Sequence, residues 1–140
     1  MQTTFAIETH GPGLYEFTRQ VEEWVDSREG GLYTGLVTLL IRHTSASLLI
    51  QENASPEVRD DLREFFDRMV PPADDPVMSF LTHTEEGADD MPAHIKAALL
   101  PVSLSIPIVN GRLRTGTWQG IFVFEHRIHP QVRQVAAHMS

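Results

Sequence analysis

Apolar residues along the chain change period several times, and the changes mark out its elements. Residues 3–8, TTFAIE, alternate apolar with polar and predict a short first strand. From Leu14 the apolar positions Leu14, Phe17, Val21, Trp24 and Val25 step by three and four, which predicts one face of a helix. EGG at 29–31 stops it, and LYTGLVTLLIRHT at 32–44 is a largely apolar run suited to a buried strand. SASLLIQEN at 45–53 reads as a further strand. Ser55 and Pro56 form a helix start, a hydroxyl N-cap followed by a residue whose missing N–H costs nothing there. Val58, Leu62, Phe65, Phe66 and Met69 predict its buried face, until VPPADDP at 70–76 ends the helix.

Asp90, Met91 and Pro92 repeat that start pattern before a short helix, AHIKAALL at 93–100. The remaining chain reads as β-structure: VSLSIPIV at 102–109, RLRTG at 112–116 and TWQGIFVFEHR at 117–127. Asn110–Gly111 between the first two predicts a type I′ turn, because both central residues need positive φ. QVRQVAAHM at 131–139 is compatible with strand or helix. About six or seven strands with three helices interspersed predict an α+β fold in one compact domain spanning 1–140. No internal repeat or long linker divides the chain, and no Gly-rich phosphate fingerprint follows a strand.

Composition narrows the classes. The 140 residues are 41% hydrophobic and 21% charged, ordinary for a globular domain. No apolar run approaches the roughly 20 residues that span a bilayer, and the first residues lack a basic, apolar leader pattern, so the expected location is the cytoplasm. There are no cysteines, hence neither disulfides nor thiolate ligands. A net charge of -8 argues against nucleic acid as a partner. The charge is unevenly placed, since Glu125 is the one acid after Asp90, against Lys96, Arg112, Arg114, Arg127 and Arg133. Two readings stand: core strands that simply lack acids, or a basic wall suited to a phosphorylated ligand.

Candidate chemistry centres on seven histidines and an acidic loop. HTEEGADDMPAHIK at 83–96 puts Glu85, Glu86, Asp89 and Asp90 between His83 and His94. His94 falls in the first turn of a helix, whose dipole favours the neutral imidazole that binds metals. His43 ends a buried strand. Three histidines would leave one coordination position open, whereas capping or surface roles are the plainer alternative. The carboxylates suit hard cations such as Mg²⁺, although a solvated loop is the more usual account of four such acids. Gly87 permits a tight bend, and Gly116 and Gly120 permit close backbone approach around Trp118 and Gln119. Glu125 is either paired with an arginine or able to orient a metal-bound histidine or act as a base. Serine catalysis is disfavoured, since neighbours on a strand face opposite ways and no G-x-S-x-G elbow exists.

HTSASLLIQEN, EGADDMPAHIK and GRLRTGTWQGIFVFEHR together resemble the YjbQ family of small bacterial and archaeal proteins. The matching motifs fall on His43 to Ala46, His83, Glu86–Gly87, Asp89 or Asp90, His94 to Lys96, Gly116 to Gln119, and Glu125. The loop EGADDMPAH is longer than the family's usual form. The resemblance implies a compact α+β fold, a homotrimer, and histidines holding a divalent metal, zinc or magnesium, near an anion-binding pocket. It also implies secondary thiamine-phosphate synthase activity on phosphorylated small molecules. On that reading His43, His83 and His94 bind the metal, with Glu125, Asp90 and Glu86 as catalytic or orienting carboxylates. Thr44, Ser45, Lys96, Gln119 and Arg127 are the anion-binding candidates. A metal-dependent hydrolase or lyase, and a non-catalytic metabolite-binding trimer, are the competing functions.

Overall fold

A computed structural model describes residues 1–30 and 33–140; Gly31 and Leu32, in the expected helix stop and strand run, lie outside the described residues. Three helices and eight strands occur among the described residues, in the order β1 (Gln2–Thr9), β2 (Gly13–Glu16), α1 (Thr18–Asp26), β3 (Gly35–Ile41), β4 (Ala46–Glu52), α2 (Pro56–Met69), α3 (Asp90–Leu99), β5 (Ser103–Val109), β6 (Arg112–Leu113), β7 (Gln119–Glu125) and β8 (Gln131–Met139). All pairings are antiparallel, in a five-stranded sheet ordered β1-β8-β3-β5-β6 and a three-stranded sheet ordered β2-β7-β4. This is the α+β architecture expected from the sequence.

The sheets meet through alternate residues. Ile7, Val37, Leu39, Val135 and Ala137 come from the larger sheet; Leu48, Ile121 and Val123 come from the smaller one. The ambiguous C-terminal segment is a strand, inserted between β1 and β3, where Arg133, Val135, Ala137 and Met139 point inward. β7 is buried on both faces. Its Phe124 faces away from the other sheet and meets Phe66 of α2, with ring centroids 5.8 Å apart.

Two expectations are corrected. Leu14 lies in β2, paired with Phe124, so the helix begins later at Thr18. Sheet pairing overrides the helical period at that residue, while Phe17, Val21 and Val25 keep it and enter the core. The expected buried face of α2 is the second correction. None of its described residues is buried, and Phe65 and Met69 are 59% and 51% exposed. The helix lies on the outside of the smaller sheet and meets it along a narrow stripe, so Phe65 and Met69 on its flank stay largely in solvent. Ser55 sits at the cap position, but its hydroxyl donates to Glu57 at 2.6 Å rather than capping a backbone N–H.

The turn chemistry is as expected. Asn110 and Gly111 have φ of 53° and 74°, the positive pair of a type I′ turn. Gly120 sits where a Cβ would run into the Glu16 carboxylate and come within 3.0 Å of Asn53, so the close approach is made by neighbouring side chains.

Candidate metal centre

The loop at 83–89 and the first turns of α3 assemble the site. Gly87 takes φ of 102°, which folds the loop back so that His83 returns to the start of the helix. Asp90 and His94 are four residues apart on α3 and share a face. His83 Nε2 lies 2.9 Å from Asp90 Oδ2 and 3.2 Å from Glu86 Oε2, and His94 Nε2 lies 3.3 Å from Asp90 Oδ2. One donor atom from each of His83, Glu86, Asp90 and His94 falls within 4.8 Å of the others.

The tautomer of His94 follows from its second nitrogen. Nδ1 stands 2.9 Å from the Thr44 carbonyl oxygen, which can only accept, so Nδ1 carries the proton. In the neutral ring Nε2 is then a lone pair facing a carboxylate oxygen. Such a juxtaposition calls for a shared proton or a cation between the two atoms. The separations of 2.9–3.3 Å compare with the edge of about 3.4 Å expected between ligands on one tetrahedral zinc. The group could therefore hold a metal ion.

Arg127, two residues beyond β7, clamps the outer side. Its Nε donates to Asp89 Oδ2 at 2.9 Å, Nη1 to Asp90 Oδ1 at 2.7 Å and Nη2 to the Glu86 carbonyl at 3.1 Å. Burial opposes its charge, but the hydrogen bond and charge of Asp89, with Asp90 and Glu86, raise its pKa above the ordinary value. Burial likewise works to raise Asp90, but hydrogen bonding shared with Glu86 and His83 and the charge of Arg127 hold it below the usual carboxylate value. Asp89, despite burial, is held down by the Ile128 N–H and by Arg127. Asp90 thus joins the donor group while Asp89 anchors its support.

The other candidates disperse. His43 lies outside the four-residue group; its Nε2 accepts the Gln134 N–H at 2.8 Å, and burial and Arg133 lower its pKa. Glu125 is fully buried between the sheets, where it accepts from Thr9 Oγ1 at 2.8 Å and from Arg133 Nη2 at 2.6 Å and Nε at 2.9 Å. Ser45 Oγ accepts from that same arginine at 3.0 Å. Thr44 reaches the site through its carbonyl alone among the contacts described. Lys96 donates to Asp67 at 2.7 Å. Gln119 sits at the far end of β7, holding the Gly116 N–H at 2.7 Å. The five late cations consequently form no single wall: Arg133 lies between the sheets, Lys96 behind α3, and Arg112 beside α1 in a cavity with Glu22 and Glu23. Pairing of Glu125 with an arginine was one of the two sequence readings, but nothing in the sequence singled out Arg133 as the partner.

The chain is thus an antiparallel α+β protein with a histidine–carboxylate group at a helix start. Residues 3–140 match the family described as UPF0047 protein YjbQ-like, and the chain belongs to that family. UPF0047 protein sll1880 of Synechocystis is 48% identical, over 99% of this chain and 90% of that protein. UPF0047 protein YjbQ of Salmonella typhimurium is 51% identical, over 97% and 94% respectively. Among solved structures, hypothetical protein APE1520 from Aeropyrum pernix superposes with a TM-score of 0.85 at 28% identity, covering 100% of this chain and 98% of that one. A yjbq/upf0047 family protein from Clostridium acetobutylicum gives 0.81 at 30% identity, covering 99% of each chain. No helix among the described residues is long and apolar enough to cross a membrane.

Proposed function

We propose that His83, Glu86, Asp90 and His94 bind a divalent metal, and that the protein uses it on a phosphorylated small molecule. The single observation that carries this reading is the Nε2 of His94 facing Asp90 Oδ2 at 3.3 Å while its Nδ1 proton is committed to Thr44. Two nitrogens with two carboxylates favour zinc or a similar transition ion over magnesium, which prefers oxygen alone. When bound, such an ion supplies positive charge for a departing phosphate group. Arg127 commits three of its five N–H groups to Asp89, Asp90 and the Glu86 carbonyl, and so holds Asp90 in place.

The specific reaction we propose is thiamine-phosphate synthesis, on the strength of the family resemblance. The bond between the pyrimidine methylene carbon and pyrophosphate breaks, the thiazole nitrogen bonds that carbon, and pyrophosphate leaves with the electron pair. Assembly as a homotrimer belongs to the same proposal. The solvent face of the five-stranded sheet supports it, with Leu36, Leu40 and Val132 exposed.

Titration calorimetry with Zn²⁺, Mn²⁺ and Mg²⁺, followed by pyrophosphate release from the two substrates, tests the reading. Zinc binding that falls about 100-fold in Asp90→Asn supports the metal group. Equal binding by both proteins removes it. Tight metal binding without pyrophosphate release rejects the transferase reaction and leaves the metal group standing.

A further inference from the structure

α3 and the segment after β7 each carry side chains in two directions. Asp90 and His94 face the metal group, and Arg127 holds Asp90 there. Pro92 and Lys96, with His126 and Ile128, turn the other way and line a cleft of ≈ 440 Å³, closed opposite by Val70 and Pro72 after α2. That volume lies in the range of small-molecule sites.

The polar groups of the cleft are unequal. Lys96 is only 7% exposed at its side chain, and its charge is already met by Asp67 at 2.7 Å. His126 is 2% exposed; its Nε2 shares a hydrogen bond with Ser47 Oγ at 2.9 Å, yet Nδ1 has no partner among the described residues. A buried unmatched polar atom of this kind costs about 1–3 kcal/mol. Burial, reinforced by Lys96 and Arg133, lowers the His126 pKa to about 3, so the ring is neutral. The Ser47 hydroxyl can serve either tautomer of Nε2, which leaves Nδ1 as a single unmatched donor or acceptor. Among the described residues the cleft offers an anion no unpaired cation, because Asp67 meets both Lys96 at 2.7 Å and Arg63 at 3.8 Å, and Asp89 is taken up by Arg127 at 2.9 Å.

We propose that this cleft binds a small, neutral, largely apolar molecule whose one hydroxyl, amide or ring nitrogen pairs with His126 Nδ1. The site needs no metal, so it stands or falls independently of the proposed function.

Benzamide is a suitable probe, with benzoate as its anionic counterpart, read by ¹⁵N-histidine NMR on the full chain. Benzamide should shift the His126 Nδ1 resonance, more strongly than benzoate, and equally in wild type and Asp90→Asn. His126→Phe should weaken benzamide about tenfold, the loss of one neutral hydrogen bond. Ile128→Trp, which fills the cleft and leaves the ring in place, should abolish the shift. Benzoate binding as tightly as benzamide overturns the ligand class. No shift at millimolar benzamide, or a shift that survives Ile128→Trp, overturns the site.

Discussion

Two arginine–carboxylate networks in this molecule use similar residues for different ends. Between the sheets, Arg133 meets Glu125 through Nε and Nη2, and Thr9, the His126 N–H and Ser45 complete the set. Acceptors there face donors, and the pair is sealed from water. At the start of α3, Arg127 satisfies only one oxygen of Asp90, and the other is crowded by two imidazoles at 2.9 and 3.3 Å. His83 and Glu86 are exposed there. A completed network holds a fold together; one left open on its exposed side could hold a cation.

Breaking the buried network should have the largest effect. Glu125→Ala strands the Arg133 charge between the sheets, and urea unfolding should show a loss of about 3–5 kcal/mol. Zinc affinity should stay within about twofold of wild type, since the α3 group is separate. A variant as stable as wild type would mean that the guanidinium finds water or another acceptor.

Acid tests the same buried region. The His126 ring takes up a proton near pH 6.5 when unfolded but only near about 3 when folded. The unfolded chain therefore binds more protons between those values, and stability falls as pH falls through that window. That ring alone should cost about 3 kcal/mol between pH 7 and pH 4. Denaturation of wild type and His126→Phe at both pH values measures the difference; parallel losses would show that the ring is not held neutral.

Sharpening the other side takes a smaller change. Arg127→Gln frees Asp90 Oδ1 and should weaken zinc about tenfold, or about 1.4 kcal/mol, by calorimetry. Unchanged affinity would show that Asp90 keeps its place without the clamp. His43→Ala should have the smallest effect, moving zinc affinity less than about twofold, because its Nε2 serves the Gln134 N–H outside the donor group. A loss as large as that expected for Asp90→Asn would bring His43 back into the site.

Some of these features were legible in the chain. Period-2 alternation located β1, and apolar runs located β3, β4, β5 and β7; Asn-Gly located its turn. The i, i+4 spacing of Asp90 and His94 after a helix start put two donors on one face. Leu14 misled because helical spacing says nothing of a strand partner as distant as Phe124. α2 misled because amphipathic spacing predicts an apolar face but not how much neighbour that face will find. The late cations left two readings open, acid-poor core strands or one basic wall, because linear charge balance carries no direction.

The sequence by itself determined most of the order of elements, β2 and the strand state of the C-terminal segment excepted, together with the bend at Gly87 and the concentration of ligand-type residues between His83 and His94. These depend on local backbone sterics and on short spacings that any folded form must respect. Only the tertiary structure decided which ionisable groups meet. It sent Glu125 to Arg133, tied Arg127 to Asp89 and Asp90, and placed His43 on a backbone N–H. The physical reason is that a charge in a packed protein must find its complement within a few ångströms, and sheet order sets those distances.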